Sequence, residues 1–231
     1  AVYMTPYSRI HKEKGFTPNM PERPWLYQNP IDILIKASNG ASDFGNKFGQ
    51  PLINGSVLTF EHSEAGRRLG YDKVIMQAGG VGYGTADQAI KDTPKEGDKI
   101  VLLGGDNYRI GMGGAAVSSA DTGAFGSVIE LNAIQRSNPE MQKRAANAIR
   151  GMVESDYNPI VSIHDHGAGG HLNCLSELVE DTGGHINLDA LPLGDPTLSA
   201  KEIIGNESQE RMGLVIGAKD IKLLQDIADR E

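Results

Sequence analysis

Apolar positions along the chain recur with two different periods, and the periods set the expected elements. NPEMQKRAANAIRGMVESD places Met141, Ala145, Ile149 and Met152 three or four residues apart. That spacing is one face of an amphipathic helix, opened by Asn138 and Pro139. NPIVSIHD is a short apolar run of the kind that forms a buried strand, centred on Val161–Ile163. HLNCLSELVEDTGG is expected as a helix ended by Gly183, HINLDAL as a strand, LSAKEII as a short helix and ERMGLVIGA as a strand. DIKLLQDIADRE is expected as a final amphipathic helix. Helices and strands alternate throughout this half, which predicts an α+β unit.

The earlier half has another texture. Residues 1–30 are rich in proline and polar side chains and are expected to be loop. An Asn-Pro opening predicts a helix near Ile31–Lys36, broken by the Gly/Asn/Ser loop that follows. SVLTFEH alternates as a half-buried strand does. YDKVIMQAGGVGYG and KEGDKIVLLGG each run from a strand into glycines, the second strand spanning Lys99–Leu103. This half is expected to be the end of a β-rich domain over residues 1–125, with the α+β domain over 126–231.

Composition narrows the partners. The 231 residues suffice for one large domain or two small ones. A formal charge of -8 without a long basic run argues against nucleic acid or a membrane surface. No apolar stretch approaches the roughly 20 residues that span a bilayer. The N-terminal residues are too polar for a signal peptide, so a cytoplasmic location is expected. The single cysteine, Cys174, excludes an internal disulfide and a multi-cysteine zinc site. Its leucine neighbours point to packing. The chain opens without a methionine and closes on a helix with no following strand. An excerpt of a longer polypeptide is therefore expected.

Three segments hold candidate chemistry. GGDNYRIGMGGAAVSS, Gly104–Ser119, has five glycines whose amides can converge on phosphate oxygens, and Arg109 can add a forked cation. A plain turn fits the same spacing. In SIHDHGAGG, Asp165 stands at the end of a strand, where α/β sheets place ligand groups. It suits magnesium, which takes few carboxylates plus phosphate oxygens and water. It equally suits a cap or Asx turn, the commoner use on spacing alone. His164 and His166 flank it without a third ligand nearby, and are expected to be structural or substrate-contacting. In GNESQERMGLVIGA the polar run Asn206–Arg211 can read hydroxyls and amides of a small molecule, or lie solvated as a loop.

FGNKFGQP, VIMQAGGVGYG, LLGGDNYRIGMGGAAVSS, AIQRSNPEMQKRAANAI, SIHDHGAGGHLNCLSELVEDTGG and GNESQERMGLVI occur in this order. Together they closely resemble the phosphoribosylformylglycinamidine synthase family. The resemblance runs from about Asn29 to the end. It implies an AIR-synthetase-like α+β fold, in which the end of a β-rich N-terminal domain precedes most of an α+β C-terminal-type domain. It implies an ATP-dependent ligase of purine biosynthesis. ATP phosphorylates the amide oxygen of formylglycinamide ribonucleotide, and ammonia from a glutaminase domain of the same polypeptide then displaces the phosphate. By resemblance Asp165 is a Mg2+ ligand, and Gln135, Glu207, Ser208 and Gln209 bind substrate. Thr59, Glu61, Arg109, Gly111, Gly113 and Gly114 fall near ATP or its phosphates. The chain alone is expected not to turn over. The alternatives are a non-catalytic nucleotide-binding or scaffold copy of the same fold, and a sister ATP-dependent enzyme of the superfamily.

Overall fold

The computed structural model describes residues 2–5, 30–71, 74–121, 124–133, 138–208 and 210–231. They form two compact units, Ala1–Tyr83 and Gly84–Glu231. The expected 125/126 boundary lies inside the second unit, because the strand Lys99–Leu103 pairs residue for residue with Met212–Ile216.

The first unit contains β1 (Val2–Thr5), α1 (Pro30–Phe48), β2 (Ser56–Thr59), β3 (Glu61–Glu64), β4 (Arg67–Gly70) and β5 (Ile75–Gln77). One sheet has the order β2-β1-β5, and β3-β4 is a separate hairpin. Ala65 and Gly66 both take positive φ, 49° and 77°, the conformation of a type I′ hairpin turn. SVLTFEH is thus two strands in two sheets, split at Phe60. The helix expected over Ile31–Lys36 continues for 19 residues, through Gly40. Ala37, Ala41, Phe44 and Phe48 extend its apolar spacing past the glycine, and the Phe44 and Phe48 rings stack at 4.4 Å. Each of its two glycines, Gly40 and Gly45, costs only about 1 kcal/mol, too little to end a helix with such a stripe. Part of the stretch expected to be loop, Val2–Thr5, is a strand parallel to β2.

The second unit contains β6 (Lys99–Leu103), α2 (Gly114–Ser119), α3 (Ser127–Asn132), α4 (Pro139–Val153), β7 (Ile160–Asp165), α5 (Gly170–Glu177), α6 (Ala200–Ile204), β8 (Met212–Ile216) and α7 (Ile221–Arg230). Its sheet has the order β6-β8-β7, with both neighbours antiparallel to β8. The central strand buries both faces. Leu214 and Ile216 pack with Ala148 and Met152 of α4 and with Leu224 and Ile227 of α7. Val215, on the opposite face, packs with Cys174, Leu175, Leu178 and Val179. Gly213 shares that second face, and a Cβ there would lie 2.5 Å from Cys174 Sγ. α5 therefore rests directly on the strand backbone.

α4 starts as expected: Asn138 Oδ1 accepts from the Met141 amide at 3.1 Å, and Pro139 opens the first turn. Regular helix in α5 stops at Glu177, and the chain reverses at Gly183 (φ 70°), whose amide donates to Val179 O. HINLDAL, expected as a strand, is instead a single 3-10 turn, Leu188–Ala190, whose Asp189 amide donates to Asn187 Oδ1. An Asx contact of this kind competes with strand pairing. Met152 has no exposed surface. Met152→Ala should cost about 2–5 kcal/mol, read as a lower urea midpoint with an unchanged slope. An unaltered midpoint would contradict the α4–sheet–α7 core.

Candidate functional site

The strand order brings three segments to one edge. Leu103 and Asp165 both pair with Met212. The loop after β6, the turn after β7 and the run before β8 must therefore meet there.

The described residues of the run Asn206–Arg211 do not form a solvated loop. Asn206, Glu207, Ser208, Glu210 and Arg211 are all buried. Arg211 donates from Nε to Gly105 O (3.2 Å), from Nη2 to Asp106 O (2.9 Å) and from Nη1 to Asn206 Oδ1 (2.8 Å). Asn206 Nδ2 donates to Tyr108 O and Ile110 O. The Glu207 amide donates to Gly111 O at 3.0 Å. Its carboxylate accepts from the Gly169 amide at 3.1 Å. Ser208 Oγ donates to the Glu210 carboxylate. This run therefore ties the glycine-rich loop to the HDHGAGG turn.

Two glycines are required by that knot. A Cβ on Gly111 (φ 77°) would sit 1.9 Å from Glu207 O, and one on Gly170 (φ 58°) would sit 2.4 Å from Asn206 O. Gly113 precedes α2 and is exposed. Gly114 opens α2 beside the Glu207 carboxylate. Arg109, expected near phosphate, is engaged elsewhere. Its guanidinium donates to Glu202 Oε1 and Thr197 Oγ1, both at 3.0 Å, and lies 3.7 Å from Asp195. Glu202 is shifted below its ordinary range by the Ser199 amide and hydroxyl first, then by Arg109. Asp195 is shifted down by the Thr197 hydroxyl and amide first, then by Arg109. Thr59 ends β2, half-buried, and Glu61 begins β3; both belong to the first unit. Gln135 and Gln209 lie outside the described residues.

Asp165 is not a helix cap. Its side chain is 72% exposed. The N-cap position of α5 is Gly169, with no side-chain cap bond. The amide there is bonded by Glu207, which leaves the Asp165 carboxylate facing solvent beside His164 Nδ1 at 3.6 Å. His164 Nε2 lies 2.5 Å from Glu177 Oε2. Among the described residues no cluster of three or more His, Cys, Asp and Glu could hold a metal ion by itself. One exposed carboxylate does fit magnesium, whose remaining ligands come from phosphate oxygens and water.

His166 and His171 are buried, with Nε2 of the first 3.0 Å from Nδ1 of the second. His171 Nε2 lies 2.9 Å from Asn107 Oδ1. Burial first, then the Arg211 charge, lowers His166 to about 4 and His171 to about 3. His171 and Asn107 were not singled out in the sequence. They stand 64 residues apart, and no local pattern joins them. Cys174 Sγ donates to His164 O at 3.4 Å, and burial pushes the thiol up to about 12. It is a packing residue.

The family described as AIR synthase related protein, C-terminal domain, matches residues 95–231. The chain belongs to this family. It is 42% identical over 205 residues to "Probable phosphoribosylformylglycinamidine synthase, chloroplastic/mitochondrial" of Arabidopsis thaliana, covering 88% of this chain and 15% of that protein. It is 41% identical over 211 residues to the phosphoribosylformylglycinamidine synthase of Homo sapiens, covering 90% and 16%. Among solved structures, Thermotoga maritima PurL complexed with FGAR superposes with a TM-score of 0.62 at 29% identity, over 83% of this chain and 30% of that one. The same protein complexed with ATP gives 0.54 at 26% identity, over 83% and 28%. The chain thus spans 15–16% of the length of these curated relatives, and its AIR-synthetase-like α+β fold is shared with them. Among the described residues, no helix is long and apolar enough to cross a membrane.

Two outcomes follow from the buried groups. Both imidazoles are neutral in the folded chain down to about 4 and about 3, whereas unfolded histidine titrates near 6.5. Below that value the unfolded chain takes up protons that the folded chain refuses, so stability falls as pH drops from 6.5. Urea midpoints should be lower at about pH 5 than at about pH 7, and His171→Phe should reduce the difference. Equal wild-type midpoints would contradict neutral burial. Cys174, its thiol pushed to about 12, should resist an aromatic disulfide reagent in the native chain and react on unfolding in urea. Rapid native labelling would place it at an exposed site.

Proposed function

We propose that this chain is part of a phosphoribosylformylglycinamidine synthase. That enzyme is an ATP-dependent carbon–nitrogen ligase, which uses glutamine-derived ammonia to convert formylglycinamide ribonucleotide to its amidine in purine biosynthesis. The observation that carries the reading is the roughly 40% identity to enzymes of that name along about nine-tenths of the chain. The T. maritima complexes with FGAR and with ATP support the two ligands. In this reading the second unit is most of a C-terminal-type domain and the first unit is the end of the N-terminal domain. The remainder of the enzyme, including the glutaminase that supplies ammonia, is the chain's partner. A cytoplasmic setting belongs to the proposal.

The chemistry suits the edge of the sheet. An amide oxygen leaves poorly, and its conversion to a phosphate makes displacement by ammonia feasible. Bound Mg2+ offsets the negative charge that builds during phosphoryl transfer. Asp165 is the proposed Mg2+ ligand, because its carboxylate is exposed and does not cap α5. Glu207 fixes the turn that presents it, through the Gly169 amide. The burial of Glu207 and Ser208 supports a part in shaping the site wall. Gln135 and Gln209 remain the proposed direct contacts to substrate. Gly111 and Gly114 keep the loop close to that wall, and their amides with that of Gly113 are the proposed neighbours of phosphate. Arg109 is proposed to brace this loop against Asp195 and Glu202 rather than to meet phosphate.

The test uses full-length enzyme with Asp165→Asn. Apparent affinity for Mg2+, read from the metal dependence of ADP release, should fall by about 10-fold or more. The KM for formylglycinamide ribonucleotide should change little. An unchanged metal dependence would favour a scaffold copy of the fold.

A further inference from the structure

Among the described residues, two buried side-chain polar atoms have no hydrogen-bond partner: Ser162 Oγ and His166 Nδ1. A hydroxyl can rotate, but an imidazole nitrogen in a packed ring cannot. The His166 atom also ends a series of hydrogen bonds whose direction is set from the far end. Asn107 Nδ2 donates to Pro192 O at 2.9 Å, which orients the amide. Its Oδ1 must then accept from His171 Nε2, 2.9 Å away. With the proton of His171 on Nε2, its Nδ1 can only accept, and His166 Nε2 at 3.0 Å must donate. A neutral imidazole has one ring proton, so His166 Nδ1 is left as a bare lone pair. The residue is 1% exposed and directly follows Asp165.

Nothing about this atom suits an anion, since its lone pair repels phosphate oxygens. Among the described residues, no set of three metal-binding side chains surrounds it. A hydrogen-bond donor is the chemistry that matches. We propose that Asn107, His171 and His166 form a tautomer-locked relay that presents His166 Nδ1 as the acceptor for one neutral N–H or O–H donor at the Asp165 turn. The donor is either a group of the bound substrate or an ordered water. Only the substrate alternative rests on the function proposed above. The relay draws one residue from each of the glycine-rich loop, the turn after β7 and α5. Docking of the loop and the tautomer of His166 are thereby coupled. His166 and His171 are positioning residues, with no part in bond making.

The experiment is 15N NMR of the 231-residue chain labelled at histidine, with long-range correlations to the ring protons. His166 and His171 should both be neutral Nε2–H tautomers with unprotonated Nδ1. Asn107→Leu removes the acceptor that sets the relay and should leave His166 a mixture of tautomers, while Asn107→Asp, which still accepts, should preserve the single form. A purely packing role would leave the tautomer unmoved in both variants. If Asn107→Leu does not fold, the wild-type spectrum still decides, because a proton on His166 Nδ1 overturns the relay. Formylglycinamide ribonucleotide is then titrated in. A shift of His166 Nδ1 to the hydrogen-bonded position on titration identifies a substrate donor. The same position before any ligand is added identifies water. An Nδ1 that is hydrogen-bonded in neither condition refutes the acceptor role. Absence of substrate binding leaves the tautomer result standing, so the two proposals fail separately.

Discussion

A guanidinium taken out of water is tolerated only when its donors find acceptors. Arg211 meets that demand with the carbonyls of Gly105 and Asp106 and the side chain of Asn206. Those acceptors lie on the loop after β6 and on the run before β8. Satisfying one side chain therefore fixes the path of both segments. Asn206 and Glu207 extend the constraint, the first to Tyr108 and Ile110, the second to Gly111 and Gly169. The glycines follow from it, since two of them lie where the knotted backbones leave no room for a methyl group.

The same constraint bears on Asp165. An aspartate before a glycine turn ordinarily bonds the amides of that turn. Here Glu207 reaches across from the run before β8 and takes the Gly169 amide. Asp165 is released from that duty and stays exposed. A buried carboxylate performs the structural task, and the exposed one is available for a ligand.

Much of the second unit was legible because its signals are local. Asn138-Pro139 with the spacing of Met141 to Met152 specifies α4, and the apolar runs at Ile160 and Met212 specify β7 and β8. HINLDAL misled because alternation also accommodates an Asx turn. In α1, Gly40 outweighed on paper an apolar stripe that wins in the fold. The polar run at Asn206–Arg211 was recognisable as unusual, yet its burial was not, because the carbonyls that absorb it lie about a hundred residues away. The contacts of Arg109 were hidden for the same reason: its carboxylate partners are distant in the chain. Of the buried histidine pair, His166 stood out beside Asp165, whereas no local pattern joins His171 to Asn107.

β8 lies between β6 and β7 in the sheet but follows both in the chain. During synthesis the two outer strands emerge first, and they do not pair with each other. Each waits with an unmatched row of amides and carbonyls until Met212–Ile216 leaves the ribosome. Until then Arg211, Asn206 and the loop glycines have nothing to meet, so this edge of the sheet assembles in a single late step. A nascent chain stalled before that strand would expose two unpaired edges and depend on chaperones to avoid aggregation.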